Sequence, residues 1–366
     1  MRVGMVDPSA FTLPYDHALS TALARAGAEV ELLTSRFAYD APPQASGYEL
    51  TEHFYRHSRA AAGSSLRRVT KLVDHVPDML RLRRLARERF DLVHFQWLAV
   101  QWLDAYLLPH RPVVLTAHDL LPREAQPGQA AAQRRLYDRV DAVIVHSEYG
   151  RGQLVERLGL PESKVRVIRH GAFTHLAELP AAPLPGELDA VQKPVVLFFG
   201  LLRPYKGIET LLDAWRGVSD AELWIVGRPR MDLEPLRAAA GPSVRFVPRF
   251  VGDRELPAFF RRAEVVVLPY TRTERLDFSG VLATALAFGK PIVVSDVGGL
   301  AEVADAGAAR LVVPDDPVGL RAALIELLGD AGERERLGSA ALAAARGQYS
   351  WDRAARATLE LYRSLV

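Results

Sequence analysis

Short apolar runs alternate along the whole chain with stretches whose apolar residues recur at helical spacing, a pattern that predicts parallel sheets joined by crossover helices. In the first half the apolar runs predict strands over 2–6, 29–34, 91–96, 113–117, 142–146 and 165–168. Between the first two, the stretch 16–26 places Leu19, Leu23 and Ala26 on one helix face and stops at Gly27, a residue suited to a left-handed cap. A second series follows, with strands expected over 195–200, 222–227, 243–246, 265–269, 291–295 and 310–313. From 179 to 194 the prolines Pro180, Pro183, Pro185 and Pro194 interrupt backbone hydrogen bonding, so this segment reads as an interdomain linker. Near the C-terminus Ala355, Leu359 and Tyr362 share a helix face behind Ser350, which suits an N-cap. The expected organisation is α/β: an N-terminal Rossmann-like domain over 1–178, a linker over 179–194, a second such domain over 195–349 and a terminal helix over 350–366.

Composition narrows the chemistry. At 366 residues with 49% apolar content the chain has core material for two domains. The absence of cysteine excludes disulfide scaffolds, thiolate zinc sites and cysteine nucleophiles. A net charge of +2 gives no global attraction for nucleic acid, and no nucleic-acid partner is expected. The opening Met1-Arg2-Val3-Gly4-Met5-Val6-Asp7 reads as a buried strand rather than a signal peptide, and charge or proline breaks every apolar stretch before membrane-spanning length. A cytoplasmic protein is therefore expected. Peripheral contact with an anionic membrane stays open, because Arg67, Arg68, Lys71, Arg81, Arg83, Arg84 and Arg87 interleave with Leu66, Val69, Leu72, Val73, Leu80, Leu82 and Leu85. A solvated helix face is the alternative reading of that run.

Two segments in the second half carry the candidate chemistry. Phe199-Gly200-Leu201-Leu202-Arg203-Pro204-Tyr205-Lys206-Gly207 follows an apolar strand, and ligands of doubly wound sheets sit beyond the carboxyl ends of strands. Arg203 and Lys206 are thereby placed for a phosphate group, a surface loop being the alternative. Further on, Ser279-Gly280-Val281 opens a helix whose first amides suit an anion, and Gly298-Gly299 after the next strand forms a permissive turn followed by Glu302. In the first half, His118-Asp119 and His94-Phe95-Gln96-Trp97 end strands on the same kind of edge. No Asp-x-Asp pair or metal-ligand spacing stands near a strand end, so no metal or other cofactor is expected.

Together these segments resemble the retaining glycosyltransferases of family 4, whose GT-B fold sets two facing Rossmann-like domains across a cleft with a C-terminal helix crossing back to the N-terminal domain. The resemblance covers nearly the whole chain and rests on strand-G-x-x-R-x-x-K-G, followed about eighty residues later by a turn, a helix, G-x-P-strand and G-G-x-x-E. It implies a metal-independent hexosyl transfer from a UDP-, GDP- or ADP-sugar to a hydroxyl of a glycan, glycolipid or small molecule. In that reading Arg203 and Lys206 clamp the distal phosphate, and His118 contacts the donor sugar as the third catalytic residue. The donor set is Gly200, Ser279, Gly280, Val281, Thr284, Gly298, Gly299 and Glu302, with Arg249 and Phe250 bordering the base. Tyr15, Asp16, His17, His94, Gln96 and Asp119 are the expected acceptor residues. The chain departs from the family at two points. The positions of two family glutamates hold Leu276 and Thr284, and the loop Thr12 to His17 lacks the family's Gly-Gly turn. A nucleotide-sugar epimerase, a phosphorylase or a non-catalytic sugar-nucleotide binder are the competing functions.

Overall fold

The computed structural model describes residues 1–37, 44–56, 67–121 and 128–366, with the backbone alone for 67–72. The chain forms two compact units: residues 1–169 with 275–277 and 351–366, and residues 170–274 with 278–350.

In the first unit seven parallel strands, β1 (Arg2–Asp7), β2 (Glu29–Thr34), β3 (Glu49–Glu52), β4 (Leu92–Phe95), β5 (Val113–Thr116), β6 (Ala142–Val145) and β7 (Val165–Val167), stand in the order β3-β2-β1-β4-β5-β6-β7. Strands β4, β5 and β6 are buried along their whole length, as expected for parallel strands covered by helices on both faces. The sequence pattern gave no sign of β3. Its Glu-Leu-Thr-Glu lies at the sheet edge with both ends exposed, where no buried face imposes alternation.

The helix Leu13–Arg25 starts earlier than its apolar spacing suggests, because Pro14 is tolerated in the first turn, where no intrahelical N–H bond is needed. It ends as expected, with Gly27 at φ 91 and the Ala28 amide returning to the Leu23 carbonyl at 3.0 Å. The helix Trp351–Arg363 belongs to this same unit, so the chain returns to its first unit at the end. Ala355, Leu359 and Tyr362 are buried as their spacing predicts, and Trp351 packs edge-on against Tyr15 at 5.0 Å.

Six parallel strands build the second unit: β8 (Val195–Phe199), β9 (Glu222–Val226), β10 (Val244–Val247), β11 (Val265–Leu268), β12 (Ile292–Ser295) and β13 (Ala309–Val312), in the order β10-β9-β8-β11-β12-β13. The proline-rich stretch is tied to this unit: Arg261 donates to the Ala177 and Leu179 carbonyls at 2.9 and 2.6 Å, and Arg262 to those of Val191 and Lys193 at 2.9 and 2.6 Å. Within it Gly186–Asp189 forms a short helix anchored by the buried Leu188. Both sheets reverse strand order beside their first strand, between β1 and β4 and between β8 and β11, and this is where an open α/β sheet leaves a crevice. Among the described residues no helix is long and apolar enough to cross a membrane.

Candidate active site

At the reversal point of the second sheet the loop after β8 lies directly against the end of β11. Gly207 has φ 70, and a Cβ there would stand 1.7 Å from the Pro269 carbonyl oxygen, so only glycine permits the approach. The Thr271 amide and hydroxyl then bind the Tyr205 carbonyl at 3.0 and 3.2 Å. This docking buries Lys206, whose Nζ donates to the Tyr270 hydroxyl and lies 3.9 Å from the centroid of that ring. The Tyr270 hydroxyl is in turn 3.0 Å from Ser279 Oγ. Lys206, Tyr270 and Ser279 thus form one chain from the loop after β8 to the start of the helix Gly280–Ala287.

Ser279 takes the extended backbone of an N-cap residue, yet its hydroxyl turns to Tyr270 and does not cap the helix. The first-turn amides therefore have no side-chain cap and mark the positive end of the helix dipole. Gly280 is exposed there, and Val281 approaches Gly200 closely enough that a Cβ on the latter would lie 3.0 Å from its methyl. The second unit brings Gly200, Lys206, Ser279, Gly280 and Val281 together, with the half-buried Arg203 on the same loop. A buried cation and a row of amides make a surface of positive potential suited to a diphosphate.

The other expected donor residues lie around this cluster or away from it. Thr284 is buried and its hydroxyl donates to the Gly280 carbonyl at 2.9 Å, inside its own helix. Gly298, at φ 57, and Gly299 open the tight helical segment Gly298–Ala306 after β12, with Glu302 half-buried within it. Arg249 and Phe250 follow the edge strand β10, where Arg249 forms a two-pronged ion pair with Glu255 at 2.8 and 2.6 Å.

In the first unit the equivalent edge is lined by rings and carboxyls. His118 is half-buried, with Nε2 donating to Gln96 Oε1 at 3.2 Å and its ring edge-on to Tyr15 at 4.6 Å. Gln96 Nε2 lies 3.2 Å from His94 Nε2. His94 itself is fully enclosed, its Nδ1 2.6 Å from the Tyr362 hydroxyl and its Nε2 2.8 Å from Thr116 Oγ1. Burial, reinforced by His146 nearby, pulls the His94 pKa down to about 3, and burial pulls His146 down to about 4.

Asp16 is also fully buried and accepts from Thr12 Oγ1 at 3.0 Å. Its pKa is raised well above the usual carboxylate range by burial and by the neighbouring Asp7, which burial likewise raises against the bonds donated to it. Next on the helix, His17 Nδ1 lies 2.8 Å from the Tyr48 hydroxyl. Asp119 is half-buried at the mouth of β5 and pairs through its backbone with Leu276.

The segment 275–277 is therefore part of this edge. Leu276, at the position of a family glutamate, is buried, and Asp277 accepts from the His146 amide and the Ser147 hydroxyl. Sequence reasoning missed this anchor and also missed Tyr270. Equally hidden was a buried chain in which Tyr55 OH lies 2.8 Å from His75 Nδ1 and His75 Nε2 lies 2.5 Å from Asp104. Of the basic run, residues 57–66, including Leu66, lie outside the described residues, as do the side chains of Arg67, Arg68, Val69, Lys71 and Leu72. In the rest of the run Arg81 pairs with Asp78 and Arg84 with Glu88 at 3.3 Å, while Leu82 is buried and Leu80 half exposed. Among the described residues no group of three or more His, Asp or Glu side chains is placed to hold a metal ion.

Two family models match the chain, one described as Glycosyltransferase Family 4 over residues 16–175 and one as Glycosyl transferases group 1 over 193–330. A D-inositol 3-phosphate glycosyltransferase of Nocardia farcinica is 30% identical over 93% of this chain and 81% of its own. A phosphatidyl-myo-inositol mannosyltransferase of Mycobacterium leprae is 29% identical over 100% of this chain and 97% of its own. The solved structure of Anabaena HepE in complex with UDP-glucose has the same fold, with a TM-score of 0.74, 21% identity and full coverage of both chains.

Proposed function

The chain belongs to glycosyltransferase family 4, and on that premise we propose that it is a retaining, metal-independent enzyme that moves a hexose from a nucleoside-diphosphate sugar to a hydroxyl acceptor. The observation that carries the donor half of this reading is the chain Lys206, Tyr270, Ser279 in the second unit, beside helix amides that the Ser279 hydroxyl leaves uncapped. As the bond from the anomeric carbon to the diphosphate breaks, negative charge grows on the leaving phosphate. Lys206, Arg203 and the amides of Gly280 and Val281 stabilise that charge where a metal ion serves in other enzymes. HepE, with UDP-glucose bound, supports a uridine nucleotide as the first donor to try.

The acceptor half rests on the first unit. His118, oriented by Gln96, meets the transferring sugar, and Asp119 lies next to it on the chain. Tyr15, Asp16, His17 and His94 shape this surface from beneath, since Tyr15, Asp16 and His94 are buried and His17 is half-buried. Retention follows from the acceptor oxygen attacking the face that the diphosphate leaves, with the acceptor proton passing to a leaving phosphate oxygen. The named relatives act on inositol compounds, which favours a ring-bearing alcohol as acceptor.

A thermal-shift screen of UDP-, GDP- and ADP-sugars with and without chelator tests the donor assignment. One nucleotide series is expected to raise the melting temperature equally in both conditions. A shift that vanishes with chelator contradicts metal independence.

A further inference from the structure

The helix Pro317–Gly329, which follows the edge strand β13 in the second unit, is apolar on two opposite faces. Leu320, Ala323, Leu324 and Leu327 are buried in the core of that unit. On the other side Val318, Ala322, Ile325 and Gly329 recur at alternating steps of four and three residues. All four are exposed, Val318 by 76% and Ile325 by 49%. A surface helix ordinarily turns polar residues outward, and a helix apolar on both faces is normally covered on both. The patch continues onto β13 and the residue after it, where Leu311 and Val313 are 39% and 59% exposed on the sheet's outer edge.

The charges that flank this face indicate what covers it. Its spacing is that of a coiled-coil seam, with Val318 and Ile325 filling the contact and Ala322 and Gly329 leaving room for a close approach. Arg321 and Glu326 stand on opposite flanks of the seam, five residues apart. Where two such helices lie parallel, a flanking residue meets the one five positions further along the other helix, so Arg321 of each faces Glu326 of the other. One patch thereby matches itself, as a two-fold interface requires. Within the single chain Arg321 donates through Nη1 to the Arg216 carbonyl and Glu326 accepts from Arg310, and both groups have capacity for a second partner.

We propose that this face is a two-fold interface with a second copy of the chain, in which the helices Pro317–Gly329 pair in parallel and Arg321 of each meets Glu326 of the other. Two short helices make a contact at the small end of specific interfaces, so the dimer is reversible rather than permanent. None of these residues belongs to the cluster around Lys206, so dimerisation and transfer are separable.

Sedimentation velocity of the full-length protein from about 1 to 200 µM tests this, a range suited to a contact of that size. Wild type is expected to pass from monomer to dimer as concentration rises. Ile325→Glu, which would bury a charge in the seam, is expected to stay monomeric, and its thermal melt at low concentration to match wild type because the side chain is exposed in the single chain. Arg321→Glu sets acid against acid at both bridges and is expected to weaken the dimer about tenfold, and adding Glu326→Arg to it should restore the dimer. A monomer throughout, a dimer that survives Ile325→Glu, an Arg321→Glu dimer of wild-type strength, or a double variant no stronger than the single one overturns the proposal.

Discussion

At the carboxyl edge of the second sheet the central group is a cation, Lys206, fixed by Tyr270 and leading to Ser279 at an uncapped helix start. At the same edge of the first sheet the central groups are enclosed histidines held uncharged and a pair of carboxyls that burial keeps protonated more readily than usual. The strand framework is shared, so the contrast lies in the loops that leave it. A diphosphate presents the same charge whatever base or sugar it carries, and a compact positive site serves all of them. A hydroxyl acceptor has no fixed charge, and a neutral, shaped surface suits it.

The largest expected effect comes from removing the cation. Lys206→Ala should lower kcat by about 10²–10³, the usual cost of losing one preorganised charge partner in the transition state, as measured by steady-state transfer or hydrolysis. The same truncation at His118 should spare nucleotide binding, which sharpens the division of labour between the edges.

Acid should act on the first edge before the second. His94 and His146 have folded pKa values of about 3 and 4, below the usual value for histidine, so the unfolded chain takes up protons first as pH falls. Their neutral burial is fully tolerated above about pH 6.5 and costs about 2 kcal/mol for each ring by pH 5, readable by denaturant melts. Asp7 and Asp16 work in the opposite sense. Their raised values favour the folded state at low pH and lose that benefit as pH rises through them. Asp16→Asn, which fixes the neutral form, should therefore steepen the acid loss.

The smallest effect is expected from Tyr270→Phe, which keeps the ring against Lys206 and removes only the hydroxyl that joins it to Ser279. A loss of about tenfold in kcat/KM is expected from one hydrogen bond to a charged group. No change at all would detach the lysine from the helix start and break the second side of the comparison.

Much of the framework was legible because buried parallel strands must be apolar, and among the described residues twelve of thirteen strands coincide with such runs. The exception, β3, is short and lies at an exposed edge. The cluster around Lys206 was legible in its two loops because glycine marks close approach, as Gly207 does against Pro269. Tyr270 was not, since a tyrosine beyond a strand carries no spacing that distinguishes a bridge from core packing. The first edge was harder still. Asp7 with Asp16, Asp277 with His146, and His75 with Asp104 are pairings made by the fold between residues whose sequence separation reports nothing.

Whether the second unit's edge grips a diphosphate is decided by calorimetric titration of UDP and uridine into wild type and Lys206→Ala. UDP is expected to bind wild type at least tenfold more tightly than uridine, and Lys206→Ala to remove most of this difference, since one charge-assisted phosphate contact is worth about 1.5–3 kcal/mol. Equal affinity for UDP in the two proteins would contradict it.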